Sequence, residues 1–181
     1  MAQPGVTVKL EVNGLKEALK EINKINPKLR KQFTKDFTAA CQPLIDEARS
    51  NVPTAPPLSG MENSWKGKQL WTGREAKDIR AKIDTRRARA RNLQKGVQYE
   101  SMGVVKVVAK GRAMSIFDMA GSRDKPTGDR GRIFIDVLNQ RFGKASRVMW
   151  PASELTLSKV QRNVEPIVDK VMKSTTRDLK G

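Results

Sequence analysis

Apolar and polar residues alternate through "VTVKLEV" up to Asn13-Gly14, the pattern of a short strand closed by a turn. From Leu15 the period lengthens: Ala18, Leu19, Ile22 and Ile25 recur at steps of three and four, which predicts a helix that stops at Asn26-Pro27. Asn26 can cap and Pro27 suits the first position of a new helix, where its missing N–H would be unpaired anyway. That second helix is predicted over residues 27–51, with Leu29, Phe33, Phe37, Ala40, Leu44 and Ala48 on one face. At 1.5 Å per residue it would be roughly 37 Å long. Pro43 lies inside it, and an interior proline costs about 3 kcal/mol, so either the helix bends there or two helices meet.

"VPTAPPLSGMENSW" breaks the periodicity and reads as a surface loop. "EAKDIRAKI" is predicted as a short helix with Ala76, Ile79 and Ile83 on one side. "GVVKVVAKG" and "AMSIFDMAG" are apolar runs bounded by glycine and fit strands, the second fitting a helical turn as well. The polar stretch from Ser122 to Arg132 is expected to be a mobile loop, and "IFIDVLNQRFG" a short helix ending at Gly143. From Ala152 onward Leu157, Val160, Val164, Ile167, Val168, Val171 and Met172 describe a long C-terminal amphipathic helix, interrupted by Pro166.

Length and charge narrow what these elements can be for. A chain of 181 residues is of ordinary size for one domain, so residues 1–181 are taken as a single unit. Its 36 Lys+Arg exceed its 19 Asp+Glu, a net charge of +17 that repels itself unless it faces nucleic acid, an anionic membrane or an acidic protein surface. About half of that surplus falls in the segment 66–95. The chain has no histidine, which removes the usual general base and the commonest metal ligand. "GSRDKPTGDRG" lacks the spacing of a phosphate loop, and the carboxylates are scattered among lysines rather than paired. No enzyme activity, no metal and no cofactor is therefore expected. A single Cys41 excludes an internal disulfide and is expected to be a small buried side chain. "MAQPGVTVKLEV" carries no charged-then-apolar leader and no apolar run reaches membrane-spanning length, so a cytoplasmic protein without a membrane partner is expected.

The order "NGLKEALKEI", "KDFTAACQPLIDEARSNVP", a Pro-rich loop and Ser64-Trp65 resembles the neck, or tail-completion, proteins of long-tailed bacteriophages. Ala40, Pro43, Leu44, Ala48, Arg49 and Pro53 match that family's helix-to-loop pattern, and "ASRVMWPASE", with Arg147, Trp150, Pro151 and Ala152, is similar to its second block before the last helix. Two departures stand out: "TAPPLSG" replaces the family's Thr-Gly, and the basic insert from Arg74 to Arg91 is longer than the resemblance requires. The resemblance implies an α+β fold, a small mostly antiparallel sheet packed by a long kinked helix and a long C-terminal helix. It also implies a structural virion protein, made in the host cytoplasm, that forms a homo-oligomeric ring, expected to be a hexamer. Such a ring would join the head connector or adaptor proteins to the tail terminator or tail tube, with packaged double-stranded DNA passing through it. A tail terminator capping the tube and a basic nucleic-acid-binding domain are the alternatives.

For the basic run, a solvated face stands beside a surface that touches DNA phosphates or acidic neighbours. Arg74, Arg80, Arg86, Arg87, Arg89 and Arg91 are the candidates, because a guanidinium grips phosphate or carboxylate with two parallel bonds. Trp65, Trp71 and Trp150, with Arg147, are the candidate interface residues, against the alternative of packing in the core or its rim. Trp65 and Trp71 rank ahead of Trp150 because they flank a loop.

Overall fold

The computed structural model describes residues 5–12, 15–25, 27–62, 64–65, 68–84, 103–122 and 128–178. In chain order the elements are β1 (Gly5–Val12), α1 (Leu15–Ile25), α2 (Pro27–Ala40), α3 (Gln42–Ser50), β2 (Ser64–Trp65), β3 (Lys68–Gln69), β4 (Ile79–Asp84), β5 (Gly103–Lys110), α4 (Arg112–Met119), α5 (Asp129–Phe142) and α6 (Met149–Asp178). The fold is α+β: a small antiparallel three-stranded sheet in the order β1-β5-β4, several helices and a long C-terminal one. β2 and β3 form a separate two-stranded antiparallel ribbon pairing Ser64 with Gln69 and Trp65 with Lys68.

The chain condenses into two compact units, each assembled from three stretches. The first comprises Met1–Val8, Pro43–Arg80 and Val107–Leu157; the second comprises Lys9–Gln42, Ala81–Lys106 and Ser158–Gly181. In the second unit α1 packs on α2. Ala18, Leu19 and Ile22 of α1 and Phe33, Phe37 and Ala40 of α2 are buried, the faces that the three-and-four spacing marks. Along the second unit's part of α6, Val160, Val164 and Val171 are buried in the same way. The first unit encloses Leu44, Ile45 and Ala48 of α3, Trp71, Ala113, Met114 and Phe117 of α4, Leu138 of α5, and Val148, Met149 and Ala152 at the start of α6.

The long second helix is divided. α2 ends at Ala40, Cys41 occupies a turn, and α3 starts at Gln42, so Pro43 sits in a first turn. There its missing N–H forfeits nothing. Pro166, by contrast, lies in the interior of α6. The two prolines should therefore respond differently to replacement. Pro43→Ala is expected to change stability by less than about 1 kcal/mol, through the unfolded chain alone. Pro166→Ala restores a helical N–H and is expected to stabilise by up to about 3 kcal/mol, read as a higher thermal midpoint; a fall in midpoint would mean that α6 is shaped by its proline.

Two local expectations are corrected. "EAKDIRAKI" is not a helix: Glu75–Asp78 form a single 3-10 turn and Ile79–Asp84 are strand β4. Spacing four apart fits both structures, but Ile79, Ala81 and Ile83 turn inward while Arg80 and Lys82 are exposed, and a period of two with β5 alongside pairs the backbone. "AMSIFDMAG" resolves as helix α4, because Ala113, Met114 and Phe117 bury together at helical spacing after Gly111 turns the chain at φ +111°. Residues 129–132, expected in the loop, form the first turn of α5, which ends at Gly143 as expected. Residues 123–127 of that loop lie outside the described residues.

Candidate functional site

The polar centre of the first unit is built where three helix ends meet. Arg147, only 7% exposed, points inward ahead of α6. Its Nη1 donates to the carbonyls of Phe117 (2.7 Å) and Ala120 (3.1 Å), its Nε to the carbonyl of Gly143 (2.8 Å), and its Nη2 to Oδ1 of Asn139 (2.7 Å). The last carbonyls of a helix have no partner within it and form its negative end. One guanidinium thus closes the C-termini of α4 and α5, a task that needs a fork of fixed donors.

Asp118 supplies the opposite charge at the opposite kind of helix end. Its Oδ1 accepts from the amide of Val148 (2.7 Å), just before α6 begins, and its backbone carbonyl accepts from the amides of Ser146 and Arg147. A carboxylate there complements the positive N-terminus of α6. Burial pushes the Asp118 carboxyl above the usual carboxylate range, against the pull of the Val148, Met149 and Arg147 amides and the Arg147 charge. Burial likewise lowers Arg147, while Asp118 holds it up. The pair therefore organises the first unit rather than presenting charge to a partner. Ser146, in the turn between them, is held at φ +71°.

This corrects the place of two predicted interface residues. Arg147 is an interior clamp, and Trp71, 1% exposed, is a core residue whose Nε1 donates to the carbonyl of Thr54 (3.3 Å). Trp71 meets Phe117 edge to face at 5.7 Å, and Phe117 meets Phe142 at 5.2 Å. The same Phe117 whose carbonyl binds Arg147 therefore joins it to the aromatic core. Trp150, ranked below Trp71 from the sequence, is 62% exposed, and Leu155 on the next turn of α6 is 73% exposed. Ile116, Met119 and Ile133, also in the first unit, are exposed apolar residues too. Trp65 lies in β2, and its side chain is outside the described set.

Among the basic candidates, Arg74 and Arg80 are exposed, Arg74 just before the 3-10 turn and Arg80 on β4. Arg86, Arg87, Arg89 and Arg91 lie outside the described residues. Arg49, part of the helix pattern, is not a surface cation: its Nε donates to the carbonyl of Ala76 (3.2 Å) and its Nη2 to that of Ile79 (3.0 Å), tying α3 to the start of β4. Glu75, nearly buried, accepts from the amide and hydroxyl of Thr72 at 2.7 and 2.9 Å. The residues that the sequence did not single out, Asp118, Asn139 and Glu75, are the polar partners of this unit. Each carries an ordinary helix-surface signature in the sequence, so only the tertiary structure reveals them.

Among the described residues, no group of three or more Cys, Asp or Glu stands close enough to hold a metal ion. Cys41 is buried, and burial pushes its thiol up to about 11, which keeps it protonated and unreactive at neutral pH. A shallow hollow of about 420 Å³ is lined by Pro166, Asp169, Lys170, Lys173 and Ser174, all from the one helix α6. No described helix is long and apolar enough to cross a membrane. No protein-family model, no curated protein and no solved structure matches this chain.

Proposed function

We propose that the chain is a structural protein of a tailed-phage virion, a ring in the neck that joins the head connector to the tail and lets DNA pass. The observation that carries this reading is the meeting of the two blocks on which the family resemblance rests. They are 97 residues apart in the chain, yet Asn51 Nδ2 donates to the carbonyl of Val148 at 3.4 Å. Arg49 and Arg147 of these blocks turn inward, Arg49 to the carbonyls of Ala76 and Ile79 and Arg147 to those of Phe117, Ala120 and Gly143, while Trp150 and Leu155 remain outside on α6. Large apolar side chains that a fold leaves in water are the usual anchors of a protein interface. Ring closure by head-to-tail contacts, with adaptor and tail proteins as the axial neighbours, uses such a surface and needs no catalysis.

The test is the mass of the purified protein, alone and mixed with tail tubes or DNA-filled heads, by native mass spectrometry and electron microscopy. Rings, or density at the head-tail joint, support the proposal; density at the free end of the tube would instead assign a tail terminator. A monomer that ignores both particles would overturn it. Trp150→Ala is expected to leave folding stability within about 0.5 kcal/mol, since the ring is exposed. Assembly should weaken by about 2 kcal/mol or more, as for an interface hot spot.

A further inference from the structure

The positive charge is unevenly divided between the two units. Among the described residues the second unit carries a net +7 and the first +3. Within the second unit the most one-sided element is α2. Its 14 residues hold Lys28, Arg30, Lys31 and Lys35 against a single acid, Asp36, which accepts from Gln32 Nε2 at 2.7 Å. Lys28, Lys31 and Lys35 follow one another at steps of three and four, so they form one stripe, and all three are exposed. Phe33, Phe37 and Ala40, buried on the opposite side, hold that stripe outward.

The helix itself gains nothing from this pattern. Like charges at such spacings repel, and Lys28 in the first turn opposes the helix dipole, with no acid there and no base in the last turn to offset it. A charged helix face that only needed solvation would mix signs, as α6 does with Lys159, Arg162, Glu165, Asp169, Lys170 and Lys173. An external polyanion removes the penalty on α2. The stripe's other exposed neighbours on α2 are Pro27, Gln32, Thr34, Thr38 and Ala39. With no aromatic among them, the face cannot stack on unpaired bases, and with no large apolar side chain it lacks the anchor of a protein interface. What it matches is a regular line of phosphates: about 10 Å of rigid helix bearing three long cationic side chains, against a duplex with one charge per 1.7 Å or so of its axis.

We propose that the Lys28-Lys31-Lys35 face of α2 binds the phosphate backbone of double-stranded DNA without regard to sequence. This deepens the neck reading by assigning its DNA-contacting surface, and it is tested apart from assembly. Binding of the isolated full chain to a labelled mixed-sequence duplex of about 20 base pairs, a length chosen to span the contacts of one phosphate-binding face, is followed by anisotropy over a series of salt concentrations. Replacing all three lysines by glutamine, K28Q/K31Q/K35Q, should flatten the slope of log affinity against log salt by about 2–3, close to 0.9 per lost phosphate contact. Affinity at low salt should fall at least about tenfold and converge on the wild type as salt rises. The charge-keeping variant K31R/K35R should retain the wild-type slope. If circular dichroism shows helix loss in the triple variant, K31Q/K35Q decides, with an expected slope change of about 2. An unchanged slope overturns the proposal, as does wild-type protein that binds polyglutamate or single-stranded DNA as tightly as duplex. Because no phage particle is present, failure here leaves the ring measurement intact, and failure of ring formation leaves this result standing.

Discussion

Arg147→Ala is expected to remove about 3–5 kcal/mol of folding stability, the cost of stranding several buried acceptors at once and of removing the charge that acts on buried Asp118. The variant leaves the carbonyls of Phe117, Ala120 and Gly143 and the Asn139 amide oxygen without their donor, and Asp118 without its counter-charge. Against a total of about 5–15 kcal/mol for an ordinary domain, that is a large fraction. Urea unfolding should show a lower midpoint at an unchanged slope. Arg147→Lys should recover little of it, because one ammonium cannot span four acceptors at the ends of two helices. A loss under about 1 kcal/mol would mean that the guanidinium is dispensable. The pH profile carries a matching signature. Since Asp118 is raised in the folded state, the fold keeps its proton to a higher pH than the unfolded chain does. Its contribution to stability is fully present below the ordinary carboxylate range and is lost as pH rises through the folded value. Asp118→Asn cannot ionise and should lack that slope.

Trp71→Ala is expected to cost a similar amount, about 3–5 kcal/mol, through the cavity left beside Phe117 and the loss of the bond to Thr54. Trp71→Phe keeps most of the apolar volume and should lose about 1–2 kcal/mol, the share of the indole N–H and the smaller ring. The contrast with Trp150→Ala is the informative one. A thermal midpoint that falls for the Trp71 variant and holds for the Trp150 variant separates a core tryptophan from a contact tryptophan. Equal shifts would mean that both are packing residues.

The candidate site was partly legible in the chain. The residue types that matter, Arg147 and the tryptophans, stand out by rarity and by the blocks around them, and the resemblance directs attention to those blocks. Their direction does not stand out. Arg147 has its acceptors 27 and 30 residues back in the chain, at Ala120 and Phe117, and its place inside depends on three helix ends converging there. Trp71 and Trp150 carry similar local signals, a large aromatic beside a break in periodicity. Only the presence of Phe117 at 5.7 Å from one of them makes the difference between core and surface.

By itself the sequence determined the elements whose partners are near neighbours along the chain. The alternation of β1, the stripes of α1, α2 and the C-terminal helix, the break near Pro43 and the stop at Gly143 are written in steps of two, three and four residues, because a strand or a helix turn repeats on that scale. The tertiary structure decided the rest. Ile79–Asp84 became a strand because β5 lies beside it to pair its backbone, and the lysines of α2 became one outward stripe because Phe33 and Phe37 are buried behind them. Likewise, Arg147 became a clamp because a buried guanidinium is stable only where carbonyls and a carboxylate from distant parts of the chain surround it.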